Sequence, residues 1–286
     1  MNVSIYDIAL KKNTIINYRY TINDYISFGN TTILYLAEDR DTKRQVLVKE
    51  LYPLKLANRD LDGKRLVIKN DLEDEFYKIR EGFANEIKIV KKLAYGEMGL
   101  QGRVPKYINE FAENDTLYLV TDYFEGFDLK QRIEKGECLN FRKISYELAD
   151  IVQRVHNQGI LHRDIKLSNV FIKTDGTVAL LDFGSACIIS EEKQFIKYAS
   201  NGYSAPEMYK KEDSTLYADI YSIGAVMYKM LTGVIPVRAD LRKDKEIKDI
   251  TEYVNIPWPL AVWIMRALEL NPKKRIKSLS ILKFLL

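Results

Sequence analysis

The run His162-Arg163-Asp164-Ile165-Lys166-Leu167-Ser168-Asn169, followed after twelve residues by Asp182-Phe183-Gly184, gathers carboxylates, an ammonium and an amide within a short stretch of chain. These residue types suit phosphoryl transfer, which needs an oriented hydroxyl, metal ions bridging the phosphates and fixed positive charge where negative charge moves. Asp164 can accept or orient the hydroxyl proton, and Lys166 can reach the transferring phosphate. Asn169 and Asp182 offer the hard oxygen ligands that magnesium takes. Each group alone has a plainer use as a turn cap, a strand-end carboxylate or a core aromatic. The two motifs in this order are hard to produce by chance.

The arrangement resembles the eukaryotic-type protein kinase family, whose catalytic loop reads H-R-D-x-x-x-x-N and whose metal-binding turn reads D-F-G. Other segments extend the resemblance over nearly all of the chain. Val46-Leu47-Val48-Lys49 alternates like a half-buried strand and is similar to the family's V-A-I-K strand. The resemblance therefore implies that Lys49 binds the α- and β-phosphates. Its implied partner is Glu86, on a segment where Phe83, Ile87 and Val90 recur at helical spacing. Downstream, Ala205-Pro206-Glu207 and Arg275 match the family's buried ion pair, and Asp219 matches the acidic start of a D-x-W-x-x-G helix, with Tyr221 for Trp.

The implied fold is α+β and bilobal. Residues 1–121 would form a small antiparallel-sheet lobe with one main helix and an insertion at about 51–75, and residues 122–286 the hinge and a larger helical lobe. Within that frame Asp122 and Phe124 would meet the adenine edge through their backbone, Thr121 would be the gatekeeper, and Asp128 would lie near the ribose. In the larger lobe, Ile144 to Asn157, Ile223 to Leu231 and Leu260 to Leu270 read as helices. In the insertion, Asp60-Leu61-Asp62-Gly63 lacks the remaining ligands of a calcium loop and reads as a hairpin turn.

The chain departs from the family pattern at the nucleotide. The run from Ile26 to Ala37 aligns with G-x-G-x-x-G-x-V but keeps only the middle glycine, Gly29, with Ser27 and Thr32 in place of the others. Glycine lets backbone amides approach phosphates, so this loop would hold a nucleotide less tightly or through hydroxyls. Leu34, Leu47 and Phe171 stand where the family usually has Val, Ala and Leu around the adenine. Overfilling a packed pocket costs about 1–3 kcal/mol where nothing relaxes, so a tight slot is expected unless backbone shifts absorb the volume.

Two features favour serine or threonine as acceptor: Lys166 lies two residues after Asp164, and Ser200 stands seven residues before Glu207. The resemblance thus implies an ATP- and Mg2+-dependent protein kinase acting on Ser/Thr hydroxyls of a protein substrate. The alternative is a pseudokinase or docking module with weak or no ATP turnover. The runs Lys49-Glu50-Leu51-Tyr52-Pro53, Leu56-Ala57-Asn58-Arg59-Asp60 and Gly202-Tyr203 resemble bacterial Ser/Thr kinases in particular. Arg163 could receive an activation-segment phosphate through charge-assisted bonds, with Ser190, Tyr198 and Ser200 as candidate acceptors and Glu191-Glu192 as a constitutive substitute.

Composition bounds the reading. With 286 residues, 47% hydrophobic, the chain can bury one or two substantial cores. A net charge of +4 from 44 basic and 40 acidic residues calls for neither a nucleic-acid surface nor a polybasic anchor. Cys138 and Cys187 form no zinc pattern or disulfide framework, so a reducing cytoplasm is expected, with Cys187 a small filler rather than a reactive thiol. The first residues do not read as a signal peptide, and no membrane-length apolar run occurs. Nothing in the sequence sets an oligomeric state.

Overall fold

The structure, a computed structural model, describes residues 8–96, 99–191, 199–209, 215–242 and 247–286. The chain divides into two compact units, one holding the residues up to Ala94 together with Pro105–Phe124, the other Tyr95–Val104 and Glu125–Leu286.

The first unit is built on a six-stranded antiparallel sheet. Its strands are β1 (Ile15–Ile16), β2 (Tyr20–Phe28), β3 (Thr32–Asp39) and β4 (Gln45–Leu51), followed by a small hairpin of β5 (Ala57–Arg59) and β6 (Leu66–Ile68) outside the sheet. Helix α1 (Glu73–Ala94) comes next, then β7 (Tyr107–Glu113) and β8 (Thr116–Asp122), which complete the sheet in the order β1-β2-β3-β4-β8-β7. Alternation is clean in β3 and β4: Ile33, Tyr35, Ala37, Val46, Val48 and Glu50 are buried on one face, while Leu34, Leu36, Leu47 and Lys49 are half-buried on the other. Helix α1 buries Phe76, Phe83, Glu86, Ile87, Val90 and Leu93 along one side and packs on β7 and β8. Glu73, Asp74 and Glu75 in its first turn and Lys91 and Lys92 in its last complement the helix dipole.

The extra chain between Lys49 and Glu86 is accounted for by the β5–β6 hairpin and by about three and a half turns of α1 ahead of Glu86. Asp60-Leu61-Asp62-Gly63 is the turn of that hairpin, with Gly63 at φ +72°. The Asp62 carboxylate accepts from the backbone N–H groups of Lys64 (2.7 Å) and Arg65 (2.9 Å), as in an Asx turn.

The second unit carries β9 (Gly126–Asp128), α2 (Leu129–Glu134), α3 (Phe141–Asn157), β10 (Ile160–Leu161), β11 (Val170–Lys173), β12 (Val178–Leu180) and β13 (Cys187–Ile188). It ends with α4 (Pro206–Tyr209), α5 (Leu216–Thr232), α6 (Trp258–Ala267) and α7 (Ser280–Leu285). Its strands form two small sheets, β12-β11-β9 and β10-β13. Helix α3 is capped by Asn140, whose side chain accepts from Lys143 N–H at 3.0 Å. Helix α5 is the apolar centre of the unit, and its Gly224 brings α6 so near that a β-carbon there would lie 2.8 Å from Ala267 Cβ. No helix among the described residues is long and apolar enough to cross a membrane.

Residues 95–104 group with the second unit, whereas the sequence reading put them in the lobe spanning 1–121. Long-range bonds decide this: Arg103 binds Asp150 on α3 at 2.7 Å, and its carbonyl accepts from Leu180 N–H at 2.8 Å.

Gly126 has φ +150°, and a β-carbon there would sit 2.3 Å from the Ile172 carbonyl oxygen. Gly126→Ala is therefore expected to cost about 2–4 kcal/mol from backbone strain and steric overlap, checked by urea denaturation against wild type.

Candidate active site

In the sheet unit, strand alternation turns Lys49 toward α1, where its Nζ meets Glu86 Oε1 at 2.6 Å. Cross-strand register places Leu34 opposite Lys49, and Leu47 opposite Thr121. Because directly opposed residues share a face, Leu34, Leu47, Lys49 and Thr121 line one side of the sheet.

Gly29 lies in the turn between β2 and β3, where its N–H donates to the Thr32 carbonyl at 2.8 Å. Gly29 has no positive φ, and a β-carbon there would touch nothing closer than 3.9 Å. The hairpin itself does not demand the glycine. Ile26, just before this turn, is 45% exposed. At the end of β8 the Asp122 N–H donates to the Lys106 carbonyl at 3.2 Å and its carboxylate accepts from Lys106 N–H at 2.7 Å. Phe124 closes the first unit and is half-buried.

In the helical unit the catalytic-loop sequence is held from beneath by Asp219, in the first turn of α5 and fully buried. Its carboxylate accepts from His162 N–H (2.9 Å), Arg163 N–H (2.8 Å) and His156 Nε2 (2.8 Å). Burial alone would raise its pKa, but the bond from His156 and the other donors outweigh this and hold the carboxyl below its usual range. The grip fixes Arg163 at φ +64°, a conformation that costs a non-glycine residue about 1–3 kcal/mol.

His162 joins the two motifs. Its Nε2 lies 3.1 Å from the Leu181 carbonyl, which can only accept, so Nε2 carries the proton and Nδ1 accepts from Asp164 N–H at 3.3 Å. The imidazole also stands edge-on to Phe183, with centroids 4.8 Å apart. Leu181 N–H donates to the Asn169 carbonyl at 2.8 Å, and Asp182 follows at φ +62°, exposed, its carboxylate accepting from Gly184 N–H at 3.3 Å.

Around Asp164 the side chains converge. Oδ1 accepts from Ser200 Oγ at 2.6 Å, and Oδ2 from Lys166 Nζ at 2.7 Å and Asn169 Nδ2 at 3.1 Å. Asn169 Nδ2 also reaches the Asp164 carbonyl at 2.8 Å, which commits its nitrogen and leaves its oxygen to serve as a cation ligand. Phe171 and Asp128 are directly opposed in the β11–β9 pair. The Asp128 carboxylate accepts from Gln131 N–H at 2.8 Å and caps α2.

The scaffold pair stands as the resemblance implied, with Arg275 bound to Glu207 through two bonds of 2.6 and 2.9 Å. Arg163 is 2% exposed and its Nε donates to the Ser185 carbonyl at 2.6 Å. Its Nη1 and Nη2 have no partner among the described residues. Ser190 is exposed and Ser200 half-buried; Tyr198 and Glu192 lie outside the described residues. Sequence reasoning missed His156, whose bond to Asp219 spans 63 residues, and the Ser185 carbonyl. No local pattern announces either.

With this geometry in place, comparison with known proteins identifies the class. A family model described as "Protein kinase domain" matches residues 20–284, and the chain belongs to that family of phosphotransferases. Within it the chain resembles bacterial serine/threonine kinases. It is 26% identical to serine/threonine-protein kinase PknD of Chlamydia trachomatis, covering 93% of this chain and 31% of that protein. It is 27% identical to the probable serine/threonine-protein kinase CA_C1728 of Clostridium acetobutylicum, covering 93% and 39%. The chain thus spans between 31% and 39% of the length of these relatives. A solved chain described as "PpkA-294 apo form" shares the fold, with a TM-score of 0.82, 23% identity and coverage of 97% and 99%.

Proposed function

We propose that the chain transfers the γ-phosphoryl group of ATP, with magnesium, to serine or threonine hydroxyls of a protein substrate. The observation that supports this most is the convergence of Lys166, Asn169 and Ser200 on the Asp164 carboxylate. A carboxylate offers about four acceptor positions. The bonds from Ser200, Lys166 and Asn169 use three of them, so one remains on Oδ1, beside the Ser200 hydroxyl.

In this reading the substrate hydroxyl donates to that position, and its proton passes to Asp164 as its oxygen bonds to the γ-phosphorus and the bond from that phosphorus to the β-phosphate oxygen breaks, releasing ADP. Lys166, bonded to Asp164 and 3.4 Å from Ser200 Oγ, supplies positive charge beside the transferring group. Lys49, steadied by Glu86, takes the α- and β-phosphates. Asn169 through its side-chain oxygen and Asp182 through its carboxylate would hold magnesium, which would supply positive charge to offset that of the phosphates. Leu34, Leu47, Thr121, Phe171 and the backbone of Asp122 and Phe124 would receive the adenine, Ile26 and Gly29 the phosphate side, and Asp128 the ribose. A carboxylate held by three donors favours turnover over a docking-only role. Both cysteines are free, which fits a reducing cytoplasm.

The reading is tested by thermal shift. ATP with magnesium is expected to raise the Tm, by RT ln(1 + [L]/Kd) in free energy, and EDTA or Asp182→Asn to remove most of that rise. No stabilisation at millimolar ATP with magnesium would sink the proposal.

A further inference from the structure

Glu50 follows Lys49 in β4 and so points to the opposite face of the sheet, where it is fully buried. Its four acceptor bonds are all made. Arg59 Nη1 and Nη2 reach Oε1 and Oε2 at 2.8 and 2.7 Å, Tyr118 OH reaches Oε1 at 2.8 Å, and Tyr35 OH reaches Oε2 at 2.6 Å. Arg59, in the β5–β6 hairpin, also donates from Nε to the Ile8 carbonyl at 2.8 Å and from Nη1 to the Lys64 carbonyl at 2.7 Å. Its guanidinium lies over the Tyr52 ring at 4.7 Å. Leu10 N–H donates to Tyr35 OH at 3.0 Å. Burial and the nearby carboxylate push the Tyr35 and Tyr118 hydroxyls up, so both remain protonated donors. The cluster therefore fastens β4 to both neighbouring strands, to the hairpin and to residues 8–10.

A buried ion pair is weak evidence for stability, since apolar replacements are often as good; its best-attested use is to fix register. A one-residue slip flips every side chain of a strand. In β4, one direction of slip would set Glu50 against Glu86 and leave Arg59 facing Leu51. The other would set Lys49 against Arg59 and leave Glu86 facing Val48. Only the observed register pairs all four charges, Lys49 with Glu86 and Glu50 with Arg59.

We propose that Glu50 and Arg59 are positioning residues for Lys49, locking β4 in the one register that presents the lysine to Glu86 and to nucleotide phosphates. The inference rests on the nucleotide-binding reading given above. It also explains why Glu50-Leu51-Tyr52-Pro53 follows Lys49 and why Leu56-Ala57-Asn58-Arg59-Asp60 lies close behind: their Glu and Arg bond to each other.

The test separates folding from positioning. Arg59→Gln strands a buried carboxylate and is expected to lower Tm strongly. The double variant Glu50→Gln with Arg59→Gln buries no charge and is expected to recover most of that Tm, yet to keep an ATP KM raised about 10- to 100-fold, the effect of a misplaced positioning group. The KM for protein substrate is expected to stay unchanged. Assays run at a temperature where each variant is fully folded by circular dichroism. An ATP KM within about twofold of wild type in the double variant would overturn the inference. Should that variant not fold, Arg59→Lys, which keeps the charge without the two-pronged grip, is judged by the same criterion. Wild type and Lys49→Met serve as controls for the underlying reading. If neither is stabilised by ATP with magnesium, the nucleotide-binding reading falls and this inference with it; if only wild type is, the Glu50 and Arg59 variants decide the inference alone.

Discussion

Asp164→Asn is expected to lower kcat for phosphoryl transfer by about 10²- to 10⁴-fold, the usual contribution of a positioned acid–base group, with little change in the ATP KM. The geometry argues for both halves. The amide keeps the shape of the carboxylate, and its oxygen can still accept from two of the donors Lys166, Asn169 and Ser200. The loop should therefore stay in place, with Asp219 still holding the His162 and Arg163 amides. What disappears is the negative charge that would take up the hydroxyl proton. Its NH2 group also faces a donor, the Ser200 hydroxyl, where a carboxylate oxygen stood. Lys49 and Glu86 are untouched, so nucleotide stabilisation should persist. The check is steady-state transfer of γ-labelled phosphate to a protein acceptor, with a thermal melt to show that the variant is folded. A kcat equal to wild type would remove Asp164 from the reaction.

The parts of the site that could be read from sequence are those whose geometry is local. His162 to Asn169 and Asp182 to Gly184 carry their chemistry at short fixed spacing, and the fold brings them together through one ring, His162, and one backbone bond from Leu181 to Asn169. Lys49 and Glu86 were legible through the family resemblance, with a period of two in one segment and of 3.6 in the other agreeing with a strand and a helix. The back of β4 was not. A glutamate beside a lysine in an alternating strand reads as a solvated charge, and it becomes a core residue only because Arg59 and residues 8–10 cover that face. The place of residues 95–104 was hidden for a similar reason, since it depends on Asp150 and Leu180, both far along the chain. Gly126 carried no signal that its β-carbon position is filled by the Ile172 carbonyl. The glycine-poor loop was legible as a departure, and the Gly29 turn shows its consequence: a self-contained hairpin bond and no backbone conformation that requires glycine.

The largest stability effect is expected at Asp219. Its carboxylate is fully buried and accepts three bonds, two from the backbone of the catalytic loop and one from His156. Asn can accept at one oxygen only and presents NH2 to a remaining donor, so Asp219→Asn loses charge-assisted bonds and leaves a buried N–H unmatched. Losing hydrogen bonds to a buried charge costs about 1.5–3 kcal/mol each, and about 3–5 kcal/mol is expected here, as for a broken buried pair. The strained φ of Arg163 loses its tether in the same step, so kcat should fall even at temperatures where the variant is folded. The pH dependence distinguishes this from simple loss of packing. The Asp219 carboxyl is held below its usual range, so the folded chain takes up this proton less readily than the unfolded chain, whose aspartates titrate near pH ~4. The stabilisation is therefore fully present above that pH and is lost as pH falls through the lower, folded value. Asn does not titrate. The stability gap between wild type and variant, measured by urea denaturation from pH ~7 downward, should stay constant to pH ~4 and then narrow as Asp219 takes up its proton. A gap that stayed constant below pH ~4 would mean that the carboxylate's charge is not what holds the loop.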